Sequence, residues 1–232
     1  MIDRGLQAGL QPTFFLRVGV AIRVGGTSPS LVNELLQNTT SAVVEVTECN
    51  AIMSIVYIIS AARPDDLPLL PSIELAAAKL LIGHAPESVL GETTSQDDLR
   101  RAQRQGLLWV ALANNVPVGF AHVDVIEPSS AHLKEIDVHP QHGRRGLGTR
   151  LVLNVCAWAA MAGYQTVTLT TFRDVEWNMP FYARLGFREI PADQLSEVLL
   201  SILRDETRRG LDPARRVAME RLCLLPVGAM HL

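Results

Sequence analysis

Residues 133–153, LKEIDVHPQHGRRGLGTRLVL, decide the fold that this sequence predicts. Ile136 and Val138 alternate with charged or polar neighbours, which is the period of a β-strand. Pro140 has no N–H to donate to a ladder, so the strand is expected to end there. Apolar side chains then recur at helical spacing from Leu147 onward. The stretch therefore predicts a strand, a glycine-rich turn and a helix.

The turn itself predicts a phosphate-binding site. Its glycines let the backbone turn tightly and approach a ligand closely. A helix start also presents unpaired N–H groups and a partial positive charge, both of which favour a phosphate. Full positive charges that would complement a pyrophosphate come from Arg144, Arg145 and Arg150. No Walker lysine follows the glycines, which argues against a P-loop nucleotide-binding protein.

The composition indicates a soluble, intracellular globular protein. The chain has 232 residues, 48% of them apolar, and a net charge of −3, so no overall basic field favours nucleic acid. No apolar run reaches the ~20 residues of a membrane span. The three cysteines are odd in number and far apart, which favours reduced thiols in the cytoplasm. His139 and His142 lack further ligands nearby, so no metal site is expected.

The chain is expected to divide near Met53. Residues 1–52 carry no motif and no steady period, and they predict an N-terminal extension, either poorly ordered or an over-long start. Residues 53–232 form the predicted domain.

Regular patterning begins at residue 55. The predicted strands are 55–61, 107–113, 116–125, 131–138, 165–171, 187–190 and 217–222. The predicted helices are 67–81, 95–105, 146–162, 179–185 and 195–210. Asn114 and Asn115 join the second and third strands as a hairpin turn. Gly119 predicts a bulge or a close backbone approach. This order favours an α/β chain, in the form of an α+β mixed sheet covered by helices on both faces.

Two stretches, EIDVHPQHGRRGLGTRL at 135–151 and NMPFYARLGF at 178–187, resemble the GNAT superfamily of acyl-CoA-dependent N-acetyltransferases. The resemblance covers roughly residues 55–225. The phosphate loop of that family reads Gln or Arg, two residues, Gly, one residue, then Gly or Ala. Residues 143–148 match its two glycines, with Gly143 in place of the leading side chain. The resemblance implies the GNAT acyl-CoA N-acyltransferase fold, a mostly antiparallel central sheet with helices on both faces.

The resemblance also implies acetyl-CoA as co-substrate and places it. The strand is expected to splay from its neighbour, so that main-chain groups contact the pantetheine arm and a main-chain N–H near Val138 polarises the acetyl oxygen. Asn178 has two interpretations, a helix cap or a coenzyme contact, because Val175 stands where many members carry Asn. The coenzyme-binding residues implied are Ile136, Asp137, Val138, Arg144, Arg145, Gly146, Leu147, Gly148, Thr149 and Asn178.

Tyr182 matches the family tyrosine that points at the coenzyme sulfur and acts as general acid. A Lys-type amine has a pKa near ~10.4, so a base is useful at neutral pH. Glu135, on the strand that ends at the thioester, is the first candidate for this base, and Glu176 is a weaker one. No cysteine stands in either motif, so direct attack in a ternary complex is expected rather than an acetyl-cysteine intermediate.

The function predicted is acetyl transfer from acetyl-CoA to a primary amine of a small molecule or a peptide. The alternative is a non-catalytic GNAT-fold module that binds acyl-CoA as a sensor or assembly partner. Retention of Tyr182 favours the enzyme, and the acidic side chains of Glu135, Asp137 and Glu176 favour a small cationic amine. The oligomeric state stays open, with a homodimer as one alternative because many relatives pair through edge strands.

Overall fold

The computed structural model describes residues 55–223. The predicted N-terminal extension, 1–52, lies outside these residues. Within 55–223, no helix is long and apolar enough to cross a membrane. In the same part of the chain, no group of three or more His, Cys, Asp or Glu side chains could hold a metal ion.

The described residues form one mixed sheet of seven strands in the order β1-β2-β3-β4-β5-β7-β6. The strands are β1 Tyr57–Ala61, β2 Leu108–Ala113, β3 Val116–Glu127, β4 Ser130–Val138, β5 Thr166–Phe172, β6 Arg188–Glu189 and β7 Arg216–Leu222. All neighbours are antiparallel except β4 and β5, which run parallel. The predicted mixed, mostly antiparallel sheet is confirmed.

The helices are α1 Leu70–Ala78, α2 Glu87–Leu90, α3 Gln96–Arg104, α4 Leu147–Met161, α5 Met179–Arg184 and α6 Glu197–Arg208. The prediction of one helix over 67–81 was too long, because Pro64–Leu69 form a 3-10 segment that contains Pro68. The four-residue α2 was not predicted at all. Ser95 caps α3 by accepting a hydrogen bond from the Asp98 amide, at 3.1 Å.

The hairpin of β2 and β3 has the turn and the bulge that its sequence predicts. Asn114 and Asn115 have positive φ values of 48° and 68°, which suit a tight hairpin turn. The pairing register shifts between Ala111 and Leu112, opposite Gly119. A Cβ built at Gly119 would lie 2.7 Å from the carbonyl oxygen of Asp137. The bulge and the close backbone approach predicted at Gly119 are therefore both present.

The register of the strands shows which side chains share each face of the sheet. The side chain of Trp109 contacts Trp158 of α4, with ring centroids 5.2 Å apart. Across the strands, Trp109 is opposite Ala121, and Ala121 is opposite Ile136, so these residues share one face of the sheet. Helix α4 therefore covers the Ile136 face. Glu135 and Asp137 point to the opposite face, on which α1 packs against β3 and β4.

Candidate active site

The sheet opens between β4 and β5. Their parallel pairing joins only Ser130–His132 to Thr166–Thr168, although β4 continues to Val138. The amide of His139 donates to the carbonyl oxygen of Val118 on β3, at 2.8 Å. Because main-chain groups alternate along a strand, the N–H of Val138 faces the other edge, toward the opening. The splay expected beside Val138 is present, and an extended ligand arm could pair with this edge.

The glycine-rich turn leads from this edge into α4. Arg144 and Gly146 have positive φ values, of 57° and 74°, and Gly146 occupies the N-cap position of α4. A Cβ at Gly148 would meet only the ring of Phe181, at 3.6 Å. Leu147 is 2% exposed, so its side chain belongs to the core and only its amide can serve a ligand. The turn thus presents the start of a 15-residue helix next to the opening.

The arginines of the turn have different partners. Both terminal nitrogens of Arg150 donate to the carbonyl oxygen of Tyr57 in β1, at 3.1 Å. The guanidinium of Arg145 lies 5.7 Å from the centre of the Tyr57 ring. The Tyr57 hydroxyl in turn contacts Nδ1 of His142, at 3.0 Å. All three arginines are exposed, but only Arg150 donates hydrogen bonds to the main chain of β1.

Tyr182 lies inside the fold on α5. It is 8% exposed and contacts the rings of Phe181 and Phe187, with centroids 5.0 and 5.8 Å away. Burial raises the pKa of its hydroxyl, and the negative charges of Glu135 and Asp137 raise it further. The phenol is therefore a hydrogen-bond donor at neutral pH, and it lies near the carboxylates of β4.

Glu135 and Asp137 are neighbouring carboxyl groups on the α1 face of β4. Burial raises the pKa of Glu135 to about 7, and the charge of Glu74 contributes to this rise. Burial also holds the pKa of Asp137 well above its usual range, with the charge of Glu135 as the next cause. Like charges in a dry environment disfavour ionisation, so Glu135 can exchange a proton near neutral pH.

Glu74, on α1, is a site residue that the sequence reasoning missed. The Glu74 carboxylate accepts hydrogen bonds from the amide of Thr94, at 2.9 and 3.1 Å, and from the hydroxyl of Thr94, at 3.2 Å. Burial raises the pKa of Glu74, and the hydrogen bonds of Thr94 oppose this rise. A signal was available: Glu74 lies four residues after Leu70 and beside Ile73, so it interrupts the apolar stripe of its helix.

His122, on β3, was also missed. Its side chain is 2% exposed and pairs across the strands with Glu135. Its Nε2 lies 3.5 Å from Oδ1 of Asp124, which also forms a salt bridge with Lys134 at 3.1 Å. His122 and Asp124 follow Phe120 at alternate positions on one strand face, and these two polar side chains beside a buried aromatic residue were the signal.

The loop before α5 holds the remaining candidates. Glu176 and Trp177 are exposed and line a surface cavity of about 400 Å³ with Pro180 and Arg184. The structure does not bring Glu176 into contact with the carboxylates of β4. The carbonyl oxygen of Asn178 accepts a hydrogen bond from the amide of Tyr182, at 3.1 Å. The Asn178 side chain makes no capping hydrogen bond to the described residues. Asn178 therefore begins α5 without acting as a side-chain cap.

Residues 79–94, named here the bridge segment, connect α1 with the far side of the opening. Leu81, Ala85 and Val89 pack on a small cluster that includes Phe172 and Val175. The guanidinium of Arg215 donates to the carbonyl oxygen of His84, at 3.2 Å, and lies 2.9 Å from its Nδ1. Glu92 forms an ion pair with Arg209. These contacts hold the bridge segment against the β5–α6 half of the domain.

Comparison with known families identifies the central part of this domain. Residues 79–187 match the model of the acetyltransferase (GNAT) family. The matched region includes both stretches on which the sequence resemblance rests, and the predicted resemblance is confirmed.

Solved structures share the fold. The PaiA N-acetyltransferase of Thermoplasma acidophilum, in complex with coenzyme A, has a TM-score of 0.58 at 18% identity over 72% of this chain and 99% of its own. The ribosomal-protein-S18-alanine N-acetyltransferase of Escherichia coli has a TM-score of 0.52 at 20% identity, over 76% of this chain and 100% of its own. A GNAT-like decarboxylase, GphF, in complex with isobutyryl-CoA, has a TM-score of 0.52 at 16% identity, over 72% of this chain and 100% of its own. The predicted fold class is confirmed.

Proposed function

Because residues 79–187 match the model of the acetyltransferase (GNAT) family, we propose that the protein transfers acetyl from acetyl-CoA to a primary amine. The transfer proceeds by direct attack of the amine within a ternary complex. One observation carries the proposal. The Tyr182 hydroxyl and the Glu135 carboxyl, from α5 and β4, are close enough for the charge of Glu135 to raise the pKa of Tyr182. A hydrogen-bond donor and a carboxyl group that can act as a base therefore lie within electrostatic range of each other.

The coenzyme is proposed to lie along that opening. Its pyrophosphate accepts hydrogen bonds from the amides at the start of α4 and forms ion pairs with Arg144 and Arg145. The pantetheine arm follows the unpaired edge of β4, from Ile136 to Val138. The N–H of Val138 then donates to the acetyl oxygen, where negative charge develops in the transition state.

Glu135 is proposed as the base for the amine. A group with a pKa of about 7 is well matched to accepting a proton near neutral pH. The free amine nitrogen attacks the thioester carbon, the new C–N bond forms, and the C–S bond breaks. The proton lost by the amine passes to Glu135, directly or through water.

Tyr182 is proposed to stabilise the leaving sulfur by a hydrogen bond. In water, full proton transfer from a phenol of pKa ~10 to a thiolate whose acid has pKa ~8.5 is uphill by about 2 kcal/mol. The raised pKa of Tyr182 makes this transfer less favourable still. Donation without complete transfer avoids the conflict, and the coenzyme thiol then takes its proton from solvent.

Tyr182→Phe tests this role. Loss of the hydroxyl is expected to lower kcat on the order of a hundred-fold while acetyl-CoA still binds, because the ring and its packing are kept. Release of free coenzyme A measures kcat. Tyr164→Phe is the matched control, since Tyr164 is a partly buried tyrosine at the end of α4, packed against Trp158 with centroids 5.4 Å apart. An unchanged kcat in Tyr182→Phe would remove the hydroxyl from the mechanism.

The fold alone does not determine the reaction, because the same fold carries a GNAT-like decarboxylase. A non-catalytic acyl-CoA sensor is the alternative for this chain. Tight binding of acetyl-CoA without acetylation of any amine in a broad panel would favour the sensor.

Location and assembly are further parts of the proposal. Cys156 and Cys223 are free thiols, which fits a reducing cytoplasm. The net charge of −3 gives no overall attraction to nucleic acid or to an anionic membrane. β1 and β6 are the edge strands, and β1 exposes Ile58, so a homodimer would form most simply along β1.

A further inference from the structure

Tyr57 contacts the glycine-rich turn, residues 139–150, at three points, although it lies on the edge strand β1. Its hydroxyl is 3.0 Å from Nδ1 of His142, which is 85 positions later in the chain. The guanidinium of Arg145 lies over its ring, with the guanidinium carbon 5.7 Å from the ring centre. Its carbonyl oxygen accepts two hydrogen bonds from Arg150, both at 3.1 Å. One residue of β1 therefore contacts the beginning, the middle and the end of the turn.

Tyr57 is itself held firmly by β2. It is opposite Ala113 in the β1–β2 ladder. The carbonyl of the preceding residue, Val56, accepts a hydrogen bond from the amide of Asn114, at 3.2 Å, and the amide of Val56 donates to Oδ1 of Asn114, at 3.3 Å. The Tyr57 side chain also packs against the main hydrophobic core. It is therefore a fixed support against which the side chains of the turn can rest.

The charge of Arg145 is available for a ligand. Among residues 55–223, Arg145 forms no salt bridge with a carboxylate. An arginine side chain loses much of its rotamer freedom when it binds an anion. An aromatic ring against the guanidinium restricts that freedom beforehand and leaves the N–H donors at its edge unoccupied.

His142 lies against the same ring, with ring centroids 5.9 Å apart and nearly perpendicular planes. Burial lowers the pKa of His142, and the positive charges of His139 and Arg145 lower it further, so the imidazole is neutral at pH 7. A phosphate oxygen only accepts hydrogen bonds. Beside a phosphate, the Tyr57 hydroxyl therefore donates to Nδ1, and Nε2 carries the ring proton as a second donor.

We propose that Tyr57 is a positioning residue for coenzyme A, which acts by holding Arg145 and His142 in the orientation that binds a phosphate group. This inference rests on the proposed function, since it concerns the coenzyme of the same reaction. Tyr57 itself need not touch the ligand. Its contribution is preorganisation, because the donors of the turn are already restricted before the coenzyme arrives.

A double-mutant cycle between Tyr57 and Arg145 tests the inference. Tyr57→Leu removes both ring and hydroxyl, and the Kd of coenzyme A, measured by calorimetry, is expected to rise about five- to ten-fold. Arg145→Met removes the guanidinium and is expected to raise the Kd at least as much. Because Tyr57 acts mainly through Arg145, adding Tyr57→Leu to Arg145→Met should raise the Kd by only about two-fold more.

Two further variants of β1 are matched controls. Ile58→Ala changes the next residue of the strand, which is 46% exposed on the opposite face, and it should leave the Kd unchanged. Tyr57→Phe keeps the ring against Arg145 and removes only the hydroxyl, so the Kd should rise no more than about two- to three-fold. If urea unfolding shows that Tyr57→Leu does not fold, the cycle is made with Tyr57→Phe and His142→Phe. The double variant should then bind coenzyme A as well as His142→Phe does.

Turnover gives a readout that a general loss of structure would not give. Tyr57 contacts the turn, whereas the transfer is proposed beside Val138 and Tyr182. In Tyr57→Leu, the KM for acetyl-CoA is therefore expected to rise about as much as the Kd, while kcat at saturating acetyl-CoA stays within about two-fold of the wild type. A fall in kcat with an unchanged KM would overturn the positioning role.

The outcomes distinguish this inference from the proposed function. Unchanged coenzyme A affinity in Tyr57→Leu, or an equal loss with and without the Arg145 guanidinium, overturns the inference and leaves the proposed function standing. A non-additive loss of affinity in a protein that acetylates no amine supports the inference and contradicts the proposed function. A wild type that does not bind coenzyme A would contradict both.

Discussion

At the scale of single residues, chemistry is set by neighbours that lie far away in sequence. Glu135 alone would be an ordinary strand carboxylate. Burial and the charge of Glu74, which is 61 positions earlier, raise its pKa to about 7. His122, Asp137, Tyr182 and Arg209 also surround it.

The pH dependence of the reaction should follow from this arrangement. Glu135 must be ionised to accept a proton, so kcat/KM should rise with pH along a limb near pH 7 in the wild type. Glu74→Gln removes a negative charge beside Glu135, lowers its pKa and should move the limb to lower pH. Glu87→Gln, an exposed position at the start of α2, should leave the limb in place. A limb that does not move in Glu74→Gln would contradict the role assigned to Glu74.

The sequence predicted part of this site and missed the rest for physical reasons. Glu135 and Tyr182 lie in or beside motifs whose local structure follows from their own residues. Glu74 and His122 enter only because α1 packs across β3 and β4, and that packing depends on tertiary contacts. Glu176 looked comparable to Glu135 as a carboxylate, but it is exposed in its loop.

At the scale of elements, the start of α4 is the feature that the sequence defined best. Pro140, the glycines and the apolar spacing from Leu147 each act locally, so strand end, turn and helix could be predicted together. The divergence of β4 from β5 was expected only from the family resemblance, since it depends on pairing between strands that are distant in sequence. α2 is too short, at four residues, for any periodicity to reveal it, whereas β6 lies within the strand predicted at 187–190.

Gly146→Asp should weaken coenzyme A binding. The carboxylate would stand at the helix start where the pyrophosphate is proposed, with an expected loss on the order of ten- to a hundred-fold, ~1.5–3 kcal/mol. Calorimetry measures the affinity. Gly106→Asp is the matched control, because Gly106 has nearly the same φ, 72° against 74°, and a Cβ there also meets nothing within 4 Å. Equal affinity in the two variants would refute the placement.

Gly119→Ala should destabilise the domain through the β3–β4 pair. The new Cβ would lie 2.7 Å from the carbonyl oxygen of Asp137, so the strands must move apart, which costs roughly 1–3 kcal/mol. Urea unfolding measures the loss. Gly91→Ala adds the same methyl group with its nearest contact at 3.6 Å, and it should change stability by less than about 1 kcal/mol. Similar effects in both variants would argue against the close approach.

At the scale of the whole molecule, the buried carboxyl group of Glu135 lowers stability as the pH rises toward neutrality. The folded pKa of Glu135 lies above its ordinary value, so between pH 4.5 and about 7 the folded state binds a proton that the unfolded state has released. Stability is therefore expected to fall as pH rises through this window.

Glu135→Gln should be more stable than the wild type above neutral pH. The substitution removes the buried charge, and the gain at about pH 8 is expected to be roughly 1–3 kcal/mol, reduced from the full shift because the carboxyls titrate together. Near pH 4 the two proteins should unfold at similar urea concentrations. A constant difference at all pH values would indicate a packing effect instead of an ionisation.

The proposed activity is acetyl transfer to an amine, and the fold by itself does not determine the reaction. The most direct measurement incubates the protein with acetyl-CoA and a broad panel of amines, and follows both free coenzyme A and the mass of each amine. We expect release of coenzyme A that is matched by an amine gaining one acetyl group, with both signals sharply reduced in Tyr182→Phe. Binding of acetyl-CoA with no acetylated amine in the whole panel would contradict it.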